Sequence, residues 1–185
     1  MKKYLIVGLG NIGQEYTNTR HNIGFEILDS FAAKVNISFS NAKFGSVSEY
    51  KFKGRSFIFL KPNTYMNLSG SAVTHWLKSE KIPLTNLLII SDDLNLPFAK
   101  LRLKPSGSNG GHNGLLSIDE TIGKNYKRLR IGIGHPGRKE MVSSYVLEKF
   151  SGTERKIINN KIALIKKYFS LVFEDDSLFL TKITL

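Results

Sequence analysis

Four short segments of this 185-residue chain hold uncharged amides and one candidate His–Asp pair. The segments are residues 11–22, 63–67, 92–93 and 110–114. Asn11 and Asp92 each lie close to the end of an apolar run that predicts a buried strand, and ligands of open α/β sheets bind beyond the carboxyl ends of such strands. Histidine and carboxylate are residue types that move protons in catalysis, whereas amides hold a substrate through neutral hydrogen bonds. The pattern predicts a polar cleft that these segments share.

Each of these residues also has a purely structural interpretation. Asn67 could cap a helix, Asn113 could belong to a turn, and His21 could simply begin a helix. His75 is interpreted as a structural or surface residue and His135 as a turn residue. Because no two of the four histidines stand at ligand spacing and few acids lie near them in the sequence, no metal site is predicted.

Gly8 to Gly13 reads G-x-G-x-x-G directly after the first predicted strand, which is the pattern of a dinucleotide-binding turn. That motif requires a helix that begins at the glycines, so that the helix N-terminus faces the pyrophosphate. Residues 14–22 are poor helix formers, and the region Leu60-Lys61-Pro62 lacks the acid that would bind a ribose. A nucleotide-dependent oxidoreductase therefore remains a minor alternative, and no cofactor is predicted.

The chain carries 27 Lys and Arg against 15 Asp and Glu, a net charge of +12, and it has no cysteine. The lack of cysteine excludes disulfides, thiolate nucleophiles and every metal site that uses Cys. Residues 97–167 hold 15 Lys and Arg but only 5 Asp and Glu, so ten of the twelve net positive charges lie there. This region is either an ordinary solvated basic face or a folded surface that binds the phosphates of a nucleic acid.

Apolar periodicity predicts alternating strands and helices, which favour a single three-layer α/β/α domain over residues 1–185 with a mixed, mainly parallel twisted sheet. The apolar run that follows Met1-Lys2-Lys3 is too short for a signal peptide, so a first strand and a cytoplasmic protein are expected. The predicted strands are 2–9, 46–52, 56–60, 86–91, 98–103 and 128–133. The predicted helices are 22–35, 69–81, 115–122, 142–150 and 153–173, with a loop at 105–114.

Six blocks of the sequence together resemble bacterial peptidyl-tRNA hydrolase, in the right order and over essentially the whole chain. The blocks are Gly-Leu-Gly-Asn at 8–11, Tyr-Thr-Asn-Thr-Arg-His-Asn at 16–22, Lys-Pro-Asn-Thr-Tyr-Met-Asn-Leu-Ser-Gly at 61–70, Asp-Asp-Leu-Asn-Leu-Pro at 92–97, Gly-Gly-His-Asn-Gly at 110–114 and Arg-Leu-Arg-Ile-Gly-Ile-Gly-His-Pro-Gly at 128–137. The resemblance implies an enzyme that cleaves the ester between a peptide and the 3′ ribose of tRNA without a metal or cofactor. Its implied partner is peptidyl-tRNA, through the acceptor stem and 3′ end, and a monomer is expected.

Within that resemblance, His21 matches the general base that activates water, and Asp92 matches the carboxylate that orients the imidazole. Asp93 is adjacent, but successive strand residues point to opposite faces, so only one of the two acids can easily serve the histidine. Asn11 matches a residue that helps to distinguish blocked from free aminoacyl ends. A neutral amide suits a peptide linkage, whereas a free ammonium would arrive charged and hydrated.

The other matches concern the substrate. They are Asn67 and Asn113 as substrate-binding amides, Tyr16 and Tyr65 as contacts to the substrate end, and Arg102 and Arg130 as cations for an acceptor-stem phosphate. Either asparagine could donate to the oxyanion that develops during ester cleavage. A non-catalytic RNA-binding module on the same fold remains a second hypothesis, although mere binding would not need both His21 and Asp92.

Overall fold

A seven-stranded sheet forms the centre of the part of the chain that the structure, a computed structural model, describes, which is residues 1–184. The strands are β1 (Lys2–Gly8), β2 (Ser40–Ala42), β3 (Gly45–Phe52), β4 (Arg55–Pro62), β5 (Leu87–Asp93), β6 (Leu101–Lys104) and β7 (Lys127–Gly132). Their order is β2-β3-β4-β1-β5-β7-β6. The four central strands are parallel, whereas β2, β3 and β6 pair antiparallel with their neighbours. The predicted mixed sheet is confirmed.

Helices cover both faces of the sheet. They are α1 (Ile23–Val35), α2 (Ser69–Ser79), α3 (Asn113–Ile122), α4 (Val142–Val146), α5 (Gly152–Tyr168) and α6 (Asp176–Thr184). Because side chains alternate along a strand, Tyr4 and Ile6 of β1 join a core with α1, α4, α5 and α6, while Leu5 and Val7 join a core with α2 and α3. These two apolar cores, one on each face, confirm the predicted three-layer α/β/α architecture.

Several predicted boundaries are wrong. The predicted strand 98–103 begins only at Leu101, because Ala99 adopts a left-handed φ of 61° that no strand accommodates. The predicted helix 142–150 ends at Val146, and the predicted helix 153–173 changes to a 3₁₀ helix after Tyr168. Strand β2 and helix α6 were not predicted.

The beginning of the chain forms β1, as predicted. Among residues 1–184, none of the helices combines the length and the hydropathy of a membrane-spanning segment. The predicted domain ends on Leu185, which lies outside the described residues.

The glycine motif allows close packing of α1 against the sheet. Helix α1 begins only at Ile23, after two 3₁₀ turns, so its N-terminus is not at the glycines. A Cβ on Gly8 would lie 2.3 Å from the carbonyl oxygen of Gly24, and a Cβ on Gly24 would lie 2.5 Å from the backbone nitrogen of Leu9. The two glycines therefore bring the start of α1 into backbone contact with the end of β1, which places the residues just before α1 beside the carboxyl ends of the strands.

Candidate active site

His21 and Asp92 form a hydrogen-bonded pair although 71 positions separate them in the sequence. His21 Nδ1 lies 2.9 Å from Asp92 Oδ2 and 3.0 Å from Oδ1. His21 belongs to the 3₁₀ turn Arg20–Asn22, and Asp92 lies near the carboxyl end of β5. The side chain of Asp93 points elsewhere, towards Arg130, because successive residues of a strand alternate in direction. The structure thus pairs His21 with Asp92 and not with Asp93.

A second imidazole, that of His112, shares the Asp92 carboxylate. His112 Nε2 lies 2.9 Å from Asp92 Oδ1, and the His112 and His21 ring centroids are 4.8 Å apart. His112 Nδ1 accepts hydrogen bonds from the backbone N–H groups of Gly114 (3.1 Å) and Leu115 (3.3 Å). An accepting Nδ1 has no proton, so we assign the proton of a neutral His112 to Nε2, which donates it to Asp92.

Sequence reasoning missed this role of His112. Its only signal was the position of His112 inside the predicted polar segment 110–114. As the N-cap residue of α3, His112 caps the helix with Nδ1 while Nε2 holds Asp92. His112 therefore fixes one oxygen of the carboxylate that orients His21.

The electrostatics of the pair favour a charged Asp92 and a basic His21. Burial by itself would raise the pKa of the Asp92 carboxyl, but the attraction and hydrogen bonds of the two imidazoles hold that pKa well below its usual range. Burial also lowers the pKa of His21, yet the charge and hydrogen bond of Asp92 outweigh it, so the pKa is raised above 6.5. Because Nδ1 is engaged by Asp92, Nε2 is the His21 nitrogen that can accept a proton.

The three side chains also meet the geometric criterion of a metal cluster, since one ligand atom from each of His21, Asp92 and His112 lies within 4.8 Å of the others. Spacing in the sequence did not indicate this cluster, because the two histidines come together only in the folded chain. The contacts of 2.9–3.0 Å are nevertheless hydrogen-bond distances, so the Asp92 oxygens already accept from the two imidazoles. A metal at His112 Nε2 would also have to displace the proton that is donated to Asp92.

Asn11 is held in place through its backbone by Asn22. The Asn22 side-chain oxygen accepts from the Asn11 N–H at 2.8 Å, and the Asn22 amide donates to the Asn11 carbonyl at 2.8 Å. Asn22 is the N-cap residue of α1 but makes no side-chain cap hydrogen bond there. Its amide instead positions Asn11, which lines two adjacent cavities of about 340 and 370 Å³.

Tyr16 and Tyr65 both line the cavity of about 340 Å³ that Asn11 also lines. Tyr65 is 81% exposed, so its ring is available to a ligand, and Leu68 contributes an apolar wall. A flat aromatic surface beside an amide suits a ligand that combines planar groups with hydrogen-bonding groups.

The two other predicted amides occupy different positions. Asn67 is exposed on the 3₁₀ turn Met66–Leu68, and the N-cap residue of α2 is Leu68, so the interpretation of Asn67 as a helix cap is wrong. Asn113 is the first residue of α3 and lines a cavity of about 90 Å³ together with His21 and Asp92. Asn113 is therefore the predicted amide that shares a cavity with the His–Asp pair.

Arg102 and Arg130 face each other across β6 and β7 and line a surface pocket of about 240 Å³. Arg102 is exposed, whereas Arg130 is largely buried, with Nη1 3.3 Å from Asp93 Oδ2. Arg130 also donates to the carbonyl of Ser108. The structure brings the two predicted cations together, but Arg130 is already engaged by a carboxylate.

Only part of the basic segment 97–167 faces solvent. Internal ion pairs hold four of its cations, namely Arg128–Asp119, Arg130–Asp93, Lys127–Asp176 and Arg155–Glu26. Lys100, Arg102 and Lys104 are exposed close to the surface pocket. The interpretation of the segment as one phosphate-binding surface was too broad, because a charge count cannot distinguish outward from inward charges.

Arg20 anchors the turn that presents His21. The Arg20 guanidinium is buried, lies 4.1 Å from the centroid of the Tyr145 ring, and donates to Glu154 at 3.1 Å. Glu154 in turn completes the capping box at the start of α5. The His21 turn is therefore fixed to the α4–α5 junction on one side and to β5 through Asp92 on the other.

Comparison with known proteins gives a consistent result over almost the whole chain. The sequence model of a family described as Peptidyl-tRNA hydrolase matches residues 5–183. A peptidyl-tRNA hydrolase of Phocaeicola vulgatus is 51% identical over 162 residues, 87% of each chain, and one of Rickettsia bellii is 47% identical over 173 residues, 92% of this chain and 94% of its own. The crystal structure of peptidyl-tRNA hydrolase from Acinetobacter baumannii superposes with a TM-score of 0.92 at 39% identity, covering 97% of this chain and 93% of that chain.

Proposed function

The chain belongs to the peptidyl-tRNA hydrolase family, and from that premise we propose that it hydrolyses the ester bond between a peptide and the 3′ ribose of tRNA, which releases the tRNA for reuse in translation. The observation that carries the proposal is the His21–Asp92 pair in a cavity that Asn113 also lines. A general base, its orienting carboxylate and a neutral donor are the groups that ester hydrolysis by water requires.

In the proposed first step, His21 Nε2 removes a proton from a water molecule while the water oxygen bonds to the ester carbonyl carbon. The imidazolium that forms stays paired with Asp92, whose depressed pKa keeps the carboxyl ionised. The carbonyl oxygen becomes an oxyanion, and the amide of Asn113 is the donor assigned to it. When the intermediate collapses, the bond to the ribose 3′ oxygen breaks, and that oxygen takes the proton from His21.

We assign the recognition of the blocked amino group to Asn11, Tyr16, Tyr65 and Asn67. The amide of Asn11 can hydrogen-bond a peptide linkage without charge, and the two tyrosine rings offer planar surfaces beside it. A free α-ammonium would lose its hydration in this cavity without gaining a carboxylate. The cavity therefore favours N-blocked substrates over free aminoacyl-tRNA.

The RNA side of the substrate is assigned to the exposed cations Lys100, Arg102 and Lys104, with the largely buried Arg130 guanidinium beside Arg102 and Lys104 in the surface pocket. An A-form acceptor stem exposes phosphates and 2′-hydroxyls more than readable base edges, so charge and shape suit many different tRNAs. We further propose that the enzyme acts as a cytoplasmic monomer of one domain, with no resident metal or cofactor.

The proposed function is tested by incubating the protein with tRNA that carries an N-acetylated amino acid. We expect release of the acetylated amino acid and recovery of intact tRNA, with far slower release from the same tRNA bearing the free amino acid. Tight binding of the tRNA without any release would contradict the proposal and favour a non-catalytic RNA-binding module.

Substitution Arg102→Ala should weaken tRNA binding and reduce the slope of log K against log salt concentration by about one. The reason is that an exposed guanidinium that neutralises a phosphate releases about one counterion. The measurement is a binding titration at four salt concentrations, with Lys51→Ala as the control, because Lys51 lies on β3 at the other end of the sheet order. A slope equal to that of the unsubstituted protein would remove Arg102 from the phosphate site.

A further inference from the structure

The second carboxylate at the end of β5, Asp93, is buried and makes two directed contacts. Asp93 Oδ1 accepts from the backbone N–H of Asn95 at 2.7 Å, and Oδ2 lies 3.3 Å from Arg130 Nη1. Neither contact involves His21 or His112. A buried carboxylate is costly unless its charge is paired, so its presence beside Asp92 calls for a specific use.

Both partners of Asp93 reach on to the loop that precedes α3. The Asn95 side chain donates to the carbonyl of Gly110 at 2.9 Å, and Arg130 Nη2 donates to the carbonyl of Ser108. Arg128, which is itself buried against Asp119, donates to the same Ser108 carbonyl at 3.2 Å. Two chains of hydrogen bonds therefore run from one carboxylate to two carbonyls of the loop 105–111.

Apart from the Arg128 contact, the other hydrogen bonds of the loop are local, such as the one from the Gly111 N–H to the Asn109 side-chain oxygen at 2.9 Å. Gly110 and Gly111 have φ values of 60° and 82°, and much of the segment 105–111 is exposed. A Cβ on Gly110 would lie 3.1 Å from Asn95 Nδ2 and 3.4 Å from Arg130 Nη1, which shows how closely the two side chains approach the loop backbone. Glycines have large conformational freedom, so a unique loop conformation depends on such external contacts.

The loop ends directly on His112 and Asn113. The backbone N–H of His112 donates to the carbonyl of Asn109 at 3.0 Å, so the position of the imidazole depends on the loop conformation. A shift of the loop would move His112 from Asp92 and Asn113 from the cavity that it shares with His21. Misplacement by about 1 Å can cost on the order of 10²-fold in rate.

We propose that Asp93 is a positioning residue for hydrolysis: through Arg130 and Asn95 it holds the loop 105–111 in the conformation that presents His112 to Asp92 and Asn113 to the reacting ester. The expected effect on rate rests on the proposed function, whereas the hydrogen bonds that hold the loop do not depend on it. Because successive strand residues point in opposite directions, Asp92 and Asp93 have different roles. Asp92 orients the two imidazoles, whereas Asp93 orients the loop that carries His112.

The first test is Asp93→Asn, which keeps an acceptor for the Asn95 N–H but removes the charge that holds Arg130. We expect kcat to fall on the order of tenfold, KM to change by no more than about twofold, and the amides of Gly111 and His112, which donate to Asn109, to exchange hydrogen several times faster. The low-pH limb of kcat/KM should stay in place, because the pKa of His21 is set by its burial and by its contact with Asp92, and Asp93 takes no part in that contact. A purely structural ion pair would lower the melting temperature without accelerating exchange specifically in this loop.

The matched control is Asp176→Asn. Asp176 pairs with Lys127 at 2.6 Å, and the other hydrogen bond of the Lys127 ammonium goes to the Val172 carbonyl and not to the loop. The same chemical change is therefore made beside another cation of β7 that does not hold the loop. We expect this variant to keep the kcat and the loop exchange of the unsubstituted protein. Equal loss of kcat in both variants, or unchanged loop exchange in Asp93→Asn, overturns the inference.

A second variant tests the other chain of hydrogen bonds without touching a buried group. Asn95 is exposed, and Asn95→Ala removes only the donor to the Gly110 carbonyl. It should accelerate exchange at the Gly111 and His112 amides and lower kcat by a factor of a few. The double variant should lose less than the product of the two single losses. If Asp93→Asn does not fold, an unaltered loop in Asn95→Ala overturns the inference. Exchange needs no turnover, so a failure of the proposed function would be recognised separately.

Discussion

Replacement of His21 by alanine is expected to lower kcat on N-acetylated aminoacyl-tRNA by about 10³-fold while tRNA affinity is retained. The alanine removes the only nitrogen that the proposed mechanism uses as a base, and general-base catalysis contributes typically 10²–10⁴ in rate. The remaining groups still bind the substrate, because the assigned phosphate contacts lie around Arg102 on another part of the surface. The measurement is single-turnover release of the acetylated amino acid, paired with a tRNA binding titration.

The control for this prediction is His75→Ala. His75 is half-buried on α2 and contacts Phe44 edge-on, with the ring centroids 5.3 Å apart, so its loss tests the effect of removing an imidazole as such. We expect near-normal kcat in the control. If His21→Ala also retains near-normal turnover, His21 is not the general base and the proposed mechanism is wrong.

Substitution Asp92→Asn should reduce kcat by about 10³-fold and move the low-pH limb of kcat/KM to lower pH. An amide carries no negative charge, and its NH2 group would replace one of the two oxygens that lie against the N–H groups of His21 and His112. The rate falls for two reasons: the carboxylate no longer fixes the His21 tautomer, and it no longer compensates the charge of the imidazolium that forms. The same substitution in a Ser-His-Asp triad has a comparable effect.

The direction of the pH shift follows from the balance of effects on His21. Asp92 raises the pKa of His21, while burial lowers it. In the unsubstituted enzyme the active, neutral imidazole is therefore lost as the pH falls through a value above 6.5. Without the carboxylate only the burial remains, so the pKa falls and activity persists to lower pH. A limb that stays in place would show that Asp92 does not set the pKa of the proposed base.

The variant Asp93→Asn serves as a control for the pH shift that is expected in Asp92→Asn. Both substitutions convert a buried aspartate at the end of β5 to the amide, yet only Asp92 contacts the imidazoles. The pH profile should therefore shift in the first variant and not in the second. The same two proteins also differ in which region exchanges hydrogen faster, since the loop 105–111 is held by the contacts of Asp93.

Local sequence signals were sufficient for the layers of the fold and for two positions of the site. The apolar run before Asp92 and the one that ends at Leu9 have the composition of buried parallel strands, and strand alternation separates Asp92 from Asp93. The placement of Asn11 and Asp92 at the carboxyl ends of two buried strands therefore follows from the order of residues alone. These features depend only on a residue and its near neighbours in the chain.

From the order of residues alone, a histidine, a carboxylate and several amides could be predicted to meet near one edge of an α/β sheet. Three contacts became visible in the folded chain and not before: His112 shares Asp92 with His21, Asn22 holds the Asn11 backbone, and Arg130 is engaged by Asp93. The difference arises from how far apart along the chain the interacting residues are. Strand and helix patterns arise from periodic burial within about ten residues, whereas these contacts join segments far apart in the chain and depend on glycine-rich backbone whose conformation is set by packing and distant hydrogen bonds.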